Sequence, residues 1–200
     1  MLNNDSYYEI REALDINYCK FIDACGFLPI VLSYEVSFKT YFDEINIDGV
    51  VLTGGNDLSS CNNNALSNIR DKYEKDLLEY CIENDIPVLG ICRGMQVIAE
   101  FFDSSFKKVD NQIDIKHALF VNQKSKYSVY LNRFEKVNSY HNFAIDKTSD
   151  ELNIVATSED GIIKAIEHRK YKIFGQMWHS EREKHFIDSE VSLIKEFFNL

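Results

Sequence analysis

PVLGICRGMQ, residues 87–96, sets a cysteine between two glycines at the point where a buried apolar run ends and a helical pattern begins. Pro87 opens the run VLGI, which reads as a strand, and from Arg93 onward the spacing is helical. Gly90 and Gly94 stand two positions to either side of Cys92. A sharp strand-to-helix turn needs small residues there, because they let the strand and the helix approach closely while the residue between them is held in a strained conformation. Cys92 is therefore the candidate nucleophile. Its thiol, with a reference pKa near ~8.5, is mostly protonated at neutral pH, so it needs a helix N-terminus and a base to favour the thiolate.

Working outward from this turn, the chain alternates strands and helices. Apolar residues at helical spacing over residues 7–25 (Ile10, Leu14, Tyr18, Phe21, Ile22) predict one helix, with Gly26 as its C-terminal stop. LPIVL at 28–32 reads as a short buried strand and residues 36–45 as a weaker helix. VVL at 50–52 is a buried strand that runs into Thr53, Gly54 and Gly55, and residues 69–82 carry helical spacing again. This order predicts an α/β fold, with a mainly parallel sheet covered by helices on both faces and its sites at the C-terminal ends of the strands. The two glycine-bearing turns, after Leu52 and after Ile91, both fall at such ends. Between about 107 and 176 the short segments YSVYL, LNIVA, GIIKAIE and YKIFGQ predict antiparallel strands or hairpins at one edge, and residues 191–200 close the chain with a helix. No repeat or linker interrupts the pattern, so residues 1–200 are expected to form a single domain.

Composition narrows the function classes. Lys and Arg total 22 against 32 Asp and Glu, a net charge of -10 spread along the chain, which argues against nucleic acid and anionic membranes as partners. The five cysteines form no CxxC pair and have no histidine at metal-ligand spacing, the usage of reduced thiols rather than of a disulfide framework or zinc site. No apolar run approaches the roughly 18 residues of a membrane span. The expectation is a soluble cytoplasmic protein without a metal. Of the histidines at 117, 141, 168, 179 and 185, His179 follows a strand directly and has Glu181 two residues on, where a carboxylate can hold the imidazole by its other nitrogen. His179 is thus the candidate base, while His117 and His141 are candidate substrate contacts and His168 and His185 read as solvated.

Taken in order, VLTGGND (51–57), PVLGICRGMQ (87–96), VNSYHNFAI (137–145) and GQMWHSE (175–181) resemble the class I glutamine amidotransferase superfamily over nearly the entire chain. Within it the chain is most similar to the stand-alone γ-glutamyl hydrolases, the peptidase C26 branch. The resemblance implies a flavodoxin-like three-layer sandwich and a Cys-His-Glu triad at Cys92, His179 and Glu181. It implies an oxyanion hole of main-chain N–H groups from Gly55 and Arg93, substrate contacts from Gly54, Asn56, Gln96, Ser139, Tyr140 and His141, and no cofactor. Two preorganised donors facing a developing oxyanion contribute on the order of 3 kcal/mol each.

Three features depart from the family. Ser180 stands where a proline usually separates the catalytic His and Glu, which is expected to loosen His179. The family begins with a strand ahead of the first helix, whereas this sequence opens with MLNNDS; either the start lies downstream of the natural one or other backbone fills the gap. The chain is also shorter than most relatives, which bears on its lid and pocket walls. The implied reaction is cysteine-dependent hydrolysis of a small γ-glutamyl amide. One branch acts on γ-glutamyl-CDP-amidate, releasing cytidine diphosphoramidate for capsule phosphoramidate synthesis, and the acidic, compact, Tyr- and Asn-rich chain is similar to it. Arg93, Lys116, His117, Arg182 and Lys184 are the candidate cations for a diphosphate leaving group. The alternatives are γ-glutamyl amines such as γ-glutamyl-GABA, a glutaminase subunit with a synthetase partner, and an inactive binding module on the same fold.

Overall fold

The computed structural model describes residues 2–4 and 9–199. In chain order its elements are β1 (Leu2–Asn4), β2 (Glu9–Arg11), α1 (Ile16–Ala24), α2 (Phe38–Glu44), β3 (Val50–Leu52), α3 (Ala65–Glu83), β4 (Val88–Ile91), α4 (Arg93–Phe101), β5 (Ser105–Lys108), β6 (Ile113–His117), β7 (Leu119–Val121), α5 (Ser128–Leu131), β8 (Val137–Tyr140), β9 (Phe143–Lys147), β10 (Leu152–Ser158), β11 (Ile163–His168), β12 (Ile173–Gln176) and α6 (Asp188–Phe198), with a 3-10 turn at Ser180–Arg182. A six-stranded sheet in the order β3-β4-β12-β11-β10-β7 forms the centre. Its pairings β3–β4 and β4–β12 are parallel and the other three antiparallel, so the expected antiparallel segments extend the same sheet. Further two-stranded antiparallel pairs join β1 to β2, β5 to β9 and β6 to β8.

Strand alternation places helices on both faces. On β12, Gly175 lies against Met95 of α4, while the next residue back, Phe174, meets Tyr127 and Phe197 beside α5 and within α6. Helix α4 packs on β3, β4 and β12, and α3 packs on α4. Seven consecutive residues of α4, from Arg93 to Ala99, are buried. A stretch of helix buried all round needs apolar or internally paired residues throughout, which is why the two polar side chains within it, Arg93 and Gln96, both find partners inside the protein.

Four expectations change. Residues 9–11 form β2, and the helix begins at Ile16, where the Asp15 side chain accepts the Asn17 N–H (2.9 Å) and satisfies a free donor of the first turn. Residues 7 and 8 of the expected helix lie outside the described residues, and Gly26, at φ 87°, ends it as expected. Helix α3 starts four residues before Ile69 because Asn64 caps it through Leu66 N–H (2.9 Å). YSVYL is helical. Tyr127 and Leu131 are buried and Val129 is exposed, a spacing of four that the alternating reading mistook for two.

LPIVL forms no strand. Leu28 and Val31 are 85% and 57% exposed, and an apolar run becomes a strand only where a neighbour offers backbone partners. Among the described residues no strand pairs with the outer edge of β3, and a groove of about 510 Å³ opens between β3, residues 27–32, α1 and α3. None of Cys92, His179 and Glu181 lines it. Among the described residues, no helix is long and apolar enough to cross a membrane.

Candidate active site

Cys92 sits between β4 and α4 at φ 52°, ψ −103°, a conformation rare for a residue with a side chain. The surroundings hold it there. Its N–H donates to Gln176 O (2.7 Å), which continues the β4–β12 ladder, and its carbonyl accepts from Gln96 N–H (3.2 Å) in the first turn of α4. The flanking glycines allow the contact that the turn demands. A Cβ on Gly94 would lie 2.0 Å from Leu52 O, and one on Gly90 would lie 2.6 Å from the Gly94 carbonyl carbon. The thiol stands at the N-terminus of a nine-residue helix. Cys25 and Cys81, by contrast, are buried in apolar surroundings that push their thiols up to about 12.

His179 follows β12. Its N–H donates to Asn138 Oδ1 (2.8 Å) and its C=O accepts from Asn138 Nδ2 (2.8 Å), so one side chain on β8 clamps both backbone groups. Ser180, where a proline was expected, is fully buried, and its hydroxyl accepts from Gln176 Nε2 (2.9 Å). These contacts hold the segment that the missing proline was expected to loosen. The imidazole Nδ1–H donates to Glu181 Oε1 (2.5 Å), with both side chains almost completely buried. Nε2 is left as the nitrogen available to the thiol and has no hydrogen-bond partner among the described residues. Burial is the largest influence on His179 and works against its charged form. The adjoining Cys92 and Glu181, through side-chain hydrogen bonding and charge, outweigh it and lift the imidazole to about 9.

The glycine loop after β3 reaches the same place. Gly54 N–H donates to Tyr18 Oη (2.9 Å), and that oxygen lies 3.4 Å from His179 Nδ1. Burial, reinforced by the charge of Glu181, keeps the Tyr18 phenol protonated. Gly55 has φ 151° and leaves no room for a Cβ, which would fall 2.2 Å from Arg70 Nη1. Asn56 turns away, its amide donating to Ser67 Oγ (2.5 Å).

The remaining candidates divide. Tyr140 lies beside His179, with ring centroids 6.0 Å apart, carries the Arg182 guanidinium 4.5 Å above its ring and donates its hydroxyl to Asp114 (2.9 Å). Gln96 donates from Nε2 to Phe143 O (2.9 Å), which keeps its Oε1 available. Ser139 and His141 belong to a buried cluster around Lys164, whose ammonium donates to Gln112 Oε1 (2.7 Å), Ser139 Oγ (2.8 Å) and His141 Nε2 (3.0 Å). Both His141 nitrogens are thereby committed, since Nδ1–H donates to Phe143 O (3.0 Å). Burial and then the Lys164 charge push this imidazole down to about 3, so it stays neutral. Burial likewise pulls Lys164 down to about 8.

Of the five candidate cations, Arg93 is 1% exposed and its guanidinium is turned onto Asp71 and Glu74. His117 is buried with Nδ1 3.6 Å from Glu159. Lys116 is exposed on Glu183 (2.8 Å), Lys184 is exposed, and Arg182 is held only 3.9 Å from Glu181. Among the described residues no group of three or more His, Cys, Asp or Glu could hold a metal ion. Sequence reasoning missed Tyr18, Arg70, Asn138 and Lys164, because the contacts that bring them to the site reach from 14 to 161 residues along the chain; no local pattern marks them.

The family model described as peptidase C26 matches residues 2–181. The γ-glutamyl-CDP-amidate hydrolase of Campylobacter jejuni is 40% identical over 203 residues, covering 100% of this chain and 94% of that protein. A putative glutamine amidotransferase-like protein of Rickettsia prowazekii is 28% identical over 232 residues, covering 84% and 82%. Among solved structures, a putative GMP synthase subunit from Thermoplasma acidophilum superposes with a TM-score of 0.73 at 19% identity, covering 92% of this chain and 86% of that one, a likeness of fold.

Proposed function

The chain belongs to the peptidase C26 family, and from that premise we propose that it hydrolyses the γ-glutamyl amide bond of γ-glutamyl-CDP-amidate with Cys92 as nucleophile, His179 as acid and base, and Glu181 orienting the imidazole. The Cys92 thiolate attacks the γ-carbonyl carbon, and the oxygen takes up the negative charge facing the N–H groups of Gly55 and Arg93. As the C–N bond breaks, the His179 imidazolium protonates the departing nitrogen, which leaves as cytidine diphosphoramidate. His179, now neutral, takes a proton from water. The hydroxide equivalent attacks the γ-glutamyl thioester, and glutamate departs as the thiolate reforms. Glu181 holds Nδ1–H throughout, so that Nε2 carries the moving proton.

The observation that supports this reading most is the buried His179–Glu181 contact at 2.5 Å beside a cysteine held at φ 52°. For the leaving group, the exposed Arg182 lies over Tyr140, whose ring is beside His179, and the exposed Lys116 pairs with Glu183; the 40% identity to a γ-glutamyl-CDP-amidate hydrolase supports assigning these two cations to the diphosphate. Six strands drawn from residues 50 to 176 share one sheet, which supports reading 1–200 as one domain, and five free thiols support a cytoplasmic setting.

The test compares kcat/KM for γ-glutamyl-CDP-amidate and γ-glutamyl-GABA. The nucleotide is expected to exceed the amine by at least about tenfold, and Arg182→Ala to remove most of that preference, since one charge-assisted contact contributes ~1.5–3 kcal/mol. Equal or reversed preference would transfer the assignment to small amines.

A further inference from the structure

We infer that Arg70 is a positioning residue for the oxyanion hole, aiming the Gly55 N–H and, with Glu74, keeping it in register with the N–H of Arg93. The inference rests on the Cys92 mechanism above.

Arg70 is on α3 with its side chain 7% exposed, and all its donors face the glycine loop or Glu74. Nη2–H donates to Thr53 O (2.8 Å) and to Thr53 Oγ1 (3.2 Å), and Nη1–H donates to Gly54 O (3.2 Å) and Asn56 Oδ1 (3.5 Å). In a trans peptide the carbonyl of one residue and the N–H of the next point to opposite sides. Holding Gly54 O toward α3 therefore turns the Gly55 N–H away from α3. Tyr18 meanwhile occupies the Gly54 N–H (2.9 Å), whereas among the described residues no side chain claims the Gly55 N–H. A glycine at φ 151° has little intrinsic preference for that orientation, so an external clamp is needed to hold it.

The other half of the hole is tied to the same carboxylate. Arg70 Nε–H donates to Glu74 Oε1 (2.8 Å), and Glu74 Oε2 accepts from Arg93 Nη1, while Arg93 Nη2 meets Asp71. One buried strut thus runs from the glycine loop through Arg70 and Glu74 to the residue after Cys92. Helix α3 lies between the loop and the elbow in the chain, so a helix fixed to both sets their spacing.

The test uses Arg70→Met and Arg70→Lys in the full chain, with steady-state kinetics on whichever γ-glutamyl compound the wild type hydrolyses. A second readout is the rate at which iodoacetamide alkylates Cys92, followed by peptide mapping. Alkylation displaces iodide and forms no oxyanion, so it reports the nucleophile and the elbow without the hole. Arg70→Met is expected to lower kcat by about 10- to 100-fold, bounded by the loss of a whole donor, with KM and alkylation within about threefold of wild type. Arg70→Lys, which can still reach one carbonyl, recovers part of kcat. Leu78→Ala, a cavity in the core face of the same helix, lowers Tm and leaves kcat unchanged.

Unchanged kcat in Arg70→Met overturns the inference. So does a fall in kcat matched by slower alkylation and higher KM, because that marks a purely structural role. A wild type that forms no thioester on Cys92 removes the mechanism itself and takes this inference with it.

Discussion

Substituting Gly94 by alanine tests how closely the chemistry depends on the approach of α4 to β3. The added methyl would lie 2.0 Å from Leu52 O, 2.6 Å from Leu52 C and 2.8 Å from Leu52 Cβ, where ordinary contact begins at 3.4 Å. The obstacle is backbone, so it cannot rotate away, and α4 must withdraw from β3 by more than about 1 Å, the shortfall between these distances and ordinary contact. Overpacking of this kind costs about 1–3 kcal/mol, equivalent to roughly 2–12 °C in Tm for a chain of this size. The rate falls further than the stability, because the contact lies between the two proposed oxyanion donors. Leu52 leads into the Gly55 loop, and Gly94 follows Arg93. A 1 Å misplacement costs on the order of 100-fold in rate. Differential scanning fluorimetry and steady-state kinetics measure the two effects. Gly161→Ala is the control, since that turn glycine has φ 80° but nothing within 4 Å, and it should lose stability alone. A Gly94→Ala enzyme with wild-type Tm and kcat would refute the reasoning.

Other perturbations read the site electrostatically. Glu181→Gln removes the carboxylate that helps hold His179 at about 9; the imidazolium then loses its proton at lower pH, and the alkaline limb of kcat/KM shifts acidward by about 1–2 units, whereas an unmoved limb would contradict the Nδ1–Glu181 assignment. Stability should fall as pH rises toward alkaline values. Glu190, raised by burial from 4.5 to about 8, and His179, raised from 6.5 to about 9, both bind protons more tightly when folded, so their contributions are whole below 4.5 and 6.5 and are lost as pH rises through 8 and 9. Glu190→Gln should flatten the lower part of the decline in Tm, and an unchanged slope would contradict this. Asn138→Ala leaves two backbone groups of His179 without their partner, at about 1–3 kcal/mol each, and should lower both Tm and kcat; wild-type values would show that the clamp is dispensable.

What could be read from the sequence was what short-range pattern encodes. The glycines around Cys92 and the His-x-Glu pair carry their geometry within a few residues, and the strands VVL, VLGI, LNIVA, GIIKAIE and YKIFGQ appear where their burial and turn residues place them. LPIVL has the composition of a strand yet lacks a backbone partner, and partnership is a tertiary property. YSVYL was too short to separate a period of two from a spacing of four. The partners of the site lay further from reach. Arg93 read as a free cation because its neutralising groups, Asp71 and Glu74, are 22 and 19 residues upstream on another helix. His141 read as a substrate contact because Lys164, which occupies its second nitrogen, looks in sequence like any charge on an amphipathic strand.

The most direct measurement is intact-protein mass spectrometry of wild type and Cys92→Ala after rapid acid quench from γ-glutamyl-CDP-amidate, with peptide mapping of any adduct. The account predicts a γ-glutamyl mass increment confined to the peptide bearing Cys92, its disappearance in Cys92→Ala together with turnover, and its accumulation in Glu181→Gln. Turnover that persists in Cys92→Ala, or an adduct on another residue, would contradict it.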